Sequence, residues 1–166
     1  MRTADYWIKN LELKAHPEGG YYKETYRSPD LLPAGIVNKK YESERNCSTS
    51  IFYLLKSGQI STFHRLKSDE IVHFYYGSYM MYYIINENGD LQKIKLGSNP
   101  ENGEALQALM RGGSWFASYV ESPKSFALIG CTVSPGFDFR DFEISDRAKM
   151  LALFPNHKDI IVKFTK

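Results

Sequence analysis

A chain of 166 residues has the length of one ordinary domain and can bury a core without metal or disulfide staples. Its 21 lysines and arginines against 19 aspartates and glutamates leave a formal charge of +2, which gives no electrostatic reason to expect a nucleic acid or an anionic membrane as partner. Cys47 and Cys131 make neither a zinc spacing nor a disulfide framework, and the longest apolar stretch, Tyr79 to Ile85, is far too short for a bilayer, so the expectation is a single cytoplasmic domain over residues 1–166.

In chain order, Thr3 is an N-cap candidate, and Tyr6, Trp7, Ile8 and Leu11 form a helical stripe that stops before His16-Pro17. Glu18-Gly19-Gly20 supplies a turn, and YYKETYR then reads as a strand. Further strands are expected over 49–55, 60–66, 70–76, 79–86, 91–96, 115–121 and 126–132, with polar or glycine-containing breaks between them. With 12 Tyr and 10 Phe gathered in these short segments, the composition favours pleated surfaces over helices. Asn88-Gly89 is the strongest hairpin signal, so the strands flanking it should pair. Ser145 or Asp146 can cap a helix running through Leu153, and a last strand is expected over 160–164. Strands at this spacing indicate an all-β sandwich or barrel with short flanking helices.

The segment GQISTFHRLKSDEIVHFYYG resembles the first motif of the cupin superfamily, with Gly58, His64, Glu70 and Gly77 at the motif's intervals. Leu66 stands where that motif has a second histidine. In LMRGGSWFASYV, Gly113 fits the turn of the second motif and Phe116 stands in place of its histidine. The blocks HPEGGYYKETYRS, FHRLKSDEIVHFYYG, GGSWFASY and GCTVSPGFDFRDFEI, from about His16 to about Ile144, are similar to one cupin branch of unknown function. The resemblance implies a cupin-type jelly-roll barrel with a small-molecule pocket inside, and no particular reaction.

Many cupins bind a metal through three histidines and a glutamate, and only His64 and Glu70 of that set are present here. An apolar Leu66 or Phe116 offers no lone pair, so the expectation is no metal cofactor. His73, three residues after Glu70, falls on the opposite face of a regular strand. His64 and Glu70 could be a satisfied buried polar network. The preferred reading makes them line a ligand pocket, with His64 as general base beside Glu70. Resemblance to the sugar-epimerase cupins adds a tyrosine acid, for which Tyr53, Tyr75, Tyr82, Tyr83 and Tyr119 are candidates. Tyr53 and Tyr119 are taken as ligand contacts, Arg65 and Arg111 as binders of a phosphate or carboxylate, and Glu18 is placed near the pocket by the resemblance alone.

The expected function is binding of a small molecule, such as a sugar or nucleotide-like metabolite, with metal-independent isomerase or epimerase activity on a sugar or sugar nucleotide. The alternatives are a non-catalytic metabolite-binding protein and a metal-dependent oxygenase, the latter disfavoured by Leu66. A homodimer is also expected, because the strand MMYYII carries apolar residues on both faces and something must cover them.

Overall fold

The structure is a computed structural model and describes residues 2–35 and 40–165. Helix α1 (Ala4–Asn10) is followed by β1 (Lys14–Ala15), β2 (Tyr21–Arg27), β3 (Leu31–Leu32), β4 (Arg45–Asn46), β5 (Thr49–Lys56), β6 (Ile60–Leu66), β7 (Asp69–Gly77), β8 (Met80–Ile85), β9 (Leu91–Leu96), β10 (Glu104–Ala105), β11 (Gln107–Met110), β12 (Trp115–Val120), β13 (Phe126–Ser134) and β14 (Phe142–Ile144). Two helices, α2 (Arg147–Leu153) and α3 (Lys158–Phe164), close the chain. One six-stranded sheet runs β1-β2-β5-β13-β7-β11 and a second β10-β9-β8-β12-β6-β14, with β3 and β4 forming a separate pair. This is an all-β fold with short flanking helices, as the strand spacing indicates, and it is the jelly-roll barrel that the resemblance implies. No helix among the described residues is long and apolar enough to cross a membrane.

The core forms where the inner faces of the two sheets meet. Val72, Ile129 and Cys131 of the first sheet pack with Tyr82, Ile84 and Phe116 of the second. The outer faces are covered locally. Helix α1 lays Trp7, Ile8 and Leu11 on Leu54, Phe126 and Leu128. Its N-terminus is capped by Thr3, whose hydroxyl accepts from the Tyr6 amide. Helices α2 and α3 bring Met150, Ile161 and Phe164 onto Phe63, Ile85, Trp115 and Ala117. Residues 160–164, expected as a strand, therefore lie in a helix. Ile161 and Phe164, three positions apart, share its buried face, and the Thr62 hydroxyl donates to the Phe164 carbonyl at 2.6 Å, satisfying a helix-end acceptor. This layer also covers the outward residues of MMYYII, including Tyr83 and Ile85. Tyr83 and Ile85 therefore need no second copy to cover them, because the chain's own C-terminal helices do so.

Strands β8 and β9 pair antiparallel about the Asn88-Gly89 reversal, from Met80 opposite Leu96 to Ile85 opposite Leu91. The loop is longer than a two-residue hairpin. Gly89 alone takes positive φ (+85°), while the Asn86 side chain accepts from the amides of Asn88 and Asp90.

Two β-bulges alter the simple alternation of faces. In β7 the register against β13 shifts between Leu128 and Ile129, so that Ile129 faces Phe74 and Leu128 faces Tyr76. Phe74 therefore joins the interior, whereas Tyr76 turns out to meet Trp7. Strict alternation would give Glu70, Val72, Phe74 and Tyr76 one common face, and here that face ends at Phe74. In β6 the register against β12 shifts so that Phe116 faces His64 but Ser118 faces Ser61. Ser61 and His64, three apart, consequently both point inward. Thr62 and Phe63 both point out towards α3, whereas strict alternation would put Thr62 on the face of His64.

The segment between β13 and β14 crosses the open end of the barrel. It is anchored by a buried ion pair in which Arg45 donates from Nε and Nη2 to the two Asp141 oxygens at 2.6 and 2.8 Å. Arg45 Nη1 also donates to the carbonyls of Ser43 and Glu44. A buried charge pair is tolerated when its remaining hydrogen-bonding capacity is met in this way. The same segment carries Phe137, Phe139 and Phe142, whose rings pack edge to face at 5.0 to 6.1 Å.

Candidate functional site

Between the sheets and under this segment lies a cavity of about 500 Å³. His64 on β6, Glu70 on β7, Tyr53 on β5 and Glu18 from the turn before β2 all line it. Glu18 reaches the interior because the β6 bulge and two glycines let its loop approach. The freed Thr62 amide donates to the Glu18 carbonyl at 3.0 Å. Gly19 has φ +116°, and a Cβ there would stand 2.1 Å from the Ile60 carbonyl oxygen. Gly20 has φ +71°, and its Cβ would meet the Leu54 carbonyl and the Tyr53 hydroxyl. Only glycine satisfies both demands. The Tyr53 hydroxyl donates to the Gly19 carbonyl at 2.8 Å, so Tyr53, expected as a ligand contact, also holds this loop.

The polar centre is built from the titratable side chains of Glu18, His64, His16 and Glu70. His64 Nδ1 lies 2.8 Å from the Thr62 carbonyl and Nε2 lies 3.0 Å from Glu18 Oε2. A carbonyl can only accept, so Nδ1 carries a proton. The contact between Nε2 and Oε2 needs one proton between them, and the rise of the His64 pKa with the fall of the Glu18 pKa places it on the ring, as an imidazolium beside a carboxylate. Burial opposes charge on His64, but Glu18, the Thr62 carbonyl and Glu70 outweigh it and raise its pKa. Burial likewise pushes the Glu18 carboxyl up, and the His64 charge with the hydrogen bond from Ser61 Oγ, at 3.0 Å, brings it below the ordinary value. His16 approaches the same Glu18 oxygen, with Nδ1 3.6 Å from Oε2 and its ring among Tyr22, Tyr53 and Phe142. Its own pKa is lowered, first by burial.

Glu70 is different. Burial raises its pKa to about 7, with Glu18 adding to the shift and His64 opposing it. Its neighbour is the Cys131 thiol, whose pKa burial and Glu70 push well up, so the thiol stays protonated. Both ring nitrogens of His64 are thus engaged within the protein, whereas the Glu70 carboxyl faces the cavity with a proton to exchange near neutrality. The expectation that His64 is the general base is revised on this geometry, since a base needs a free lone pair aimed at the ligand.

Three expected ligand contacts lie elsewhere. Strand alternation turns Arg65 away from the cavity, where it stacks 4.6 Å over Trp115 and donates to Glu143. Arg111 is exposed beside Asp69. Tyr119 faces outward, stacked on Tyr83 beside Phe164. His73 also faces out, bonded to Thr132 and Gln107, as its odd offset from Glu70 requires. Of the tyrosines considered as an acid, Tyr53 and Tyr82 line the cavity, which also includes His16, Ser61, Ser118 and Cys131, residues not expected there from the sequence. For Tyr82 and Ser118 the signal was there: they lie directly opposite each other on β8 and β12, and Ser118 shares its face with Phe116.

The donor set does not fit a metal ion. Leu66 and Phe116 point into the cavity where the family resemblance would need histidines, Phe116 packing against the His64 ring at 4.2 Å, and His64 has no nitrogen left to give. Among the described residues no three His, Cys, Asp or Glu side chains group in a metal-holding arrangement.

A barrel of two jelly-roll sheets enclosing such a cavity defines a cupin. The chain belongs to the family described as Cupin superfamily (DUF985), which it matches over residues 5–145. It is similar to the uncharacterized protein YML079W of Saccharomyces cerevisiae, with 35% identity over 144 residues, covering 81% of this chain and 71% of the yeast protein. Among solved structures, protein SO0799 from Shewanella oneidensis has 38% identity and a TM-score of 0.90, covering 100% of this chain and 99% of that one. A hypothetical protein from Leishmania major has 33% identity and a TM-score of 0.90, with 99% of both chains covered.

The loop geometry leads to a direct prediction. Gly19→Ala should cost about 2 kcal/mol or more through its disallowed backbone and its clash with Ile60, a fall in Tm of roughly 4–8 °C. Calorimetry would show this, and an unchanged Tm would mean that the loop is not pinned against β6.

Proposed function

We propose that this cupin binds a small metabolite in its barrel and transfers a proton on it without a metal, as an isomerase or epimerase does. The observation that supports the reading is the division of labour between the carboxyls. Glu18 is consumed in holding His64 charged, and Glu70 is left facing the cavity with its proton exchangeable near pH 7. In this reading Glu70 takes or returns the proton. The His64 imidazolium, oriented by Glu18 and Thr62, stabilises negative charge that develops beside it. Tyr82 lines the same cavity, and in this reading its hydroxyl assists; Tyr53 is already committed to the Gly19 carbonyl. The same cavity without turnover would make the protein a metabolite carrier, and the two readings separate on Glu70.

Because burial favours its neutral form, Glu70 contributes stability that is fully present below about pH 4.5 and is lost as the pH rises towards 7. Carbon-13 NMR of the side-chain carboxyls should show one glutamate titrating with a midpoint of about 7. Glu70→Gln should remove that signal, flatten the fall in Tm between about pH 5 and 8, and lower any turnover by roughly 10²- to 10⁴-fold. A Glu70 midpoint near the ordinary 4.5 would sink the proton-transfer reading. Turnover unchanged in the variant would do the same.

We also propose a homodimer, on a different surface from the one MMYYII suggested. Ile71 and Leu109 lie opposite each other on the outer face of β7 and β11, and both are exposed, as are Tyr75 and Leu106. The neighbouring outward side chains His73, Gln107 and Thr132 include no carboxylate, lysine or arginine, so the patch does not set like fixed charges against its own copy. Strand β11 is the edge of its sheet and can continue it. Sedimentation should give a species of twice 19.1 kDa that Leu109→Glu dissociates. A monomer at micromolar concentration would contradict it.

A further inference from the structure

We infer that the cavity takes an uncharged small molecule rich in hydroxyl or carbonyl oxygens and rejects phosphate and carboxylate groups. This rests on the reading of the cavity as a ligand site and names the chemistry of its ligand. Every cation that lines the cavity already has its charge matched. His64 is paired with Glu18 at 3.0 Å. Arg27, at the mouth, donates from Nε and Nη2 to Glu24 at 2.9 and 2.7 Å and from Nη1 to Asn46 and the Phe137 carbonyl at 2.8 and 3.2 Å. Arg65 and Arg111, the cations that could have met a phosphate, lie on the outside. An anion entering the barrel would therefore be desolvated without a counter-charge and beside two carboxyl groups, which is unfavourable. A sugar nucleotide, with its diphosphate, is thereby disfavoured while an uncharged sugar is not.

A cationic ligand would have to be met by Glu70, the carboxyl without an ion-pair partner in the barrel, and burial favours the neutral form of that group. Phe137, Phe139 and Phe142 pack on one another with centroids 5.0 to 6.1 Å apart, as a cluster rather than an open aromatic cage. What the cavity does offer is neutral hydrogen bonding. The hydroxyls of Tyr82 and Ser118, adjacent on β8 and β12, open onto it from the second sheet, and the carboxyl of Glu70 and the thiol of Cys131 open onto it from the first. Among the described residues neither hydroxyl is taken up by a side-chain hydrogen bond within the protein. An oxygen-rich ligand spanning the gap would complete both walls, while the apolar faces of Phe116 and Ile51 meet its carbon skeleton.

The test is an NMR titration of the full chain with D-glucose and xylitol as uncharged probes, glucose 6-phosphate and UDP-glucose as anions, and choline as a cation. The amide signals of Tyr82, Ser118 and Cys131 report on the cavity. The uncharged probes should shift these signals, and their phosphate-bearing counterparts should bind at least about tenfold more weakly. Tyr82→Phe should weaken the uncharged probes by up to about tenfold through the lost hydrogen bond. The inference is overturned if an anion or choline binds as tightly as the uncharged probes, or if neither uncharged probe shifts the cavity signals. The carboxyl midpoint of Glu70, read in the same sample, keeps the two claims apart: a midpoint in the ordinary range removes the proton-transfer reading and leaves the selection by charge standing.

Discussion

The contact between Glu18 and His64 is the constraint on which the site depends. It joins a loop near the N-terminus to an inner strand of the opposite sheet, and it exists because β6 carries one residue more than its partner β12. The extra residue releases the Thr62 amide and carbonyl from the ladder. The amide receives the Glu18 backbone, and the carbonyl receives the proton of His64 Nδ1. One local irregularity therefore orients both members of the pair. A buried carboxylate and imidazolium would be costly apart, and together, with Ser61 and Thr62 completing their hydrogen bonds, they are tolerated.

From that pair the behaviour of Glu70 follows. It shares the cavity with one carboxylate and one imidazolium that nearly cancel, so burial decides its state, and its proton is held to about pH 7. The barrel supplies the enclosure that makes burial count. Its inner walls combine apolar side chains with the polar centre, its end is crossed by the phenyl-bearing segment, and that segment is fastened by Arg45 and Asp141, which do not line the cavity. Structural charge and functional charge are separated: the first pair fastens the cover, and the second sets the electrostatics beneath it.

Much of this was legible in the sequence. Strand spacing and the Asn88-Gly89 reversal gave the barrel, and parity along β7 with the motif intervals brought Glu70 inside and left His73 outside. The same parity, applied one residue further, would have turned Arg65 outward from His64 and Tyr119 outward from Ser118. Bulges were not legible, because an extra residue in a strand leaves no mark on composition, and each one reversed a face: Thr62 in β6 and Tyr76 in β7. Glu18 could be placed only by family resemblance, since its distance from His64 in the chain says nothing about a loop folding back over β6. The short run 160–164 has apolar residues that suit either period, and only its packing on Phe63 and Tyr119 makes it a helix.

The central claim is that His64 is a fixed imidazolium and not a free base, and nitrogen-15 NMR of its ring tests this most directly. At pH 7 the account predicts that both ring nitrogens carry protons, with coupling to hydrogens that exchange slowly with solvent because both are hydrogen-bonded inside the barrel. A neutral ring at pH 7, with Nε2 unprotonated, would contradict the account and return His64 to the role of general base.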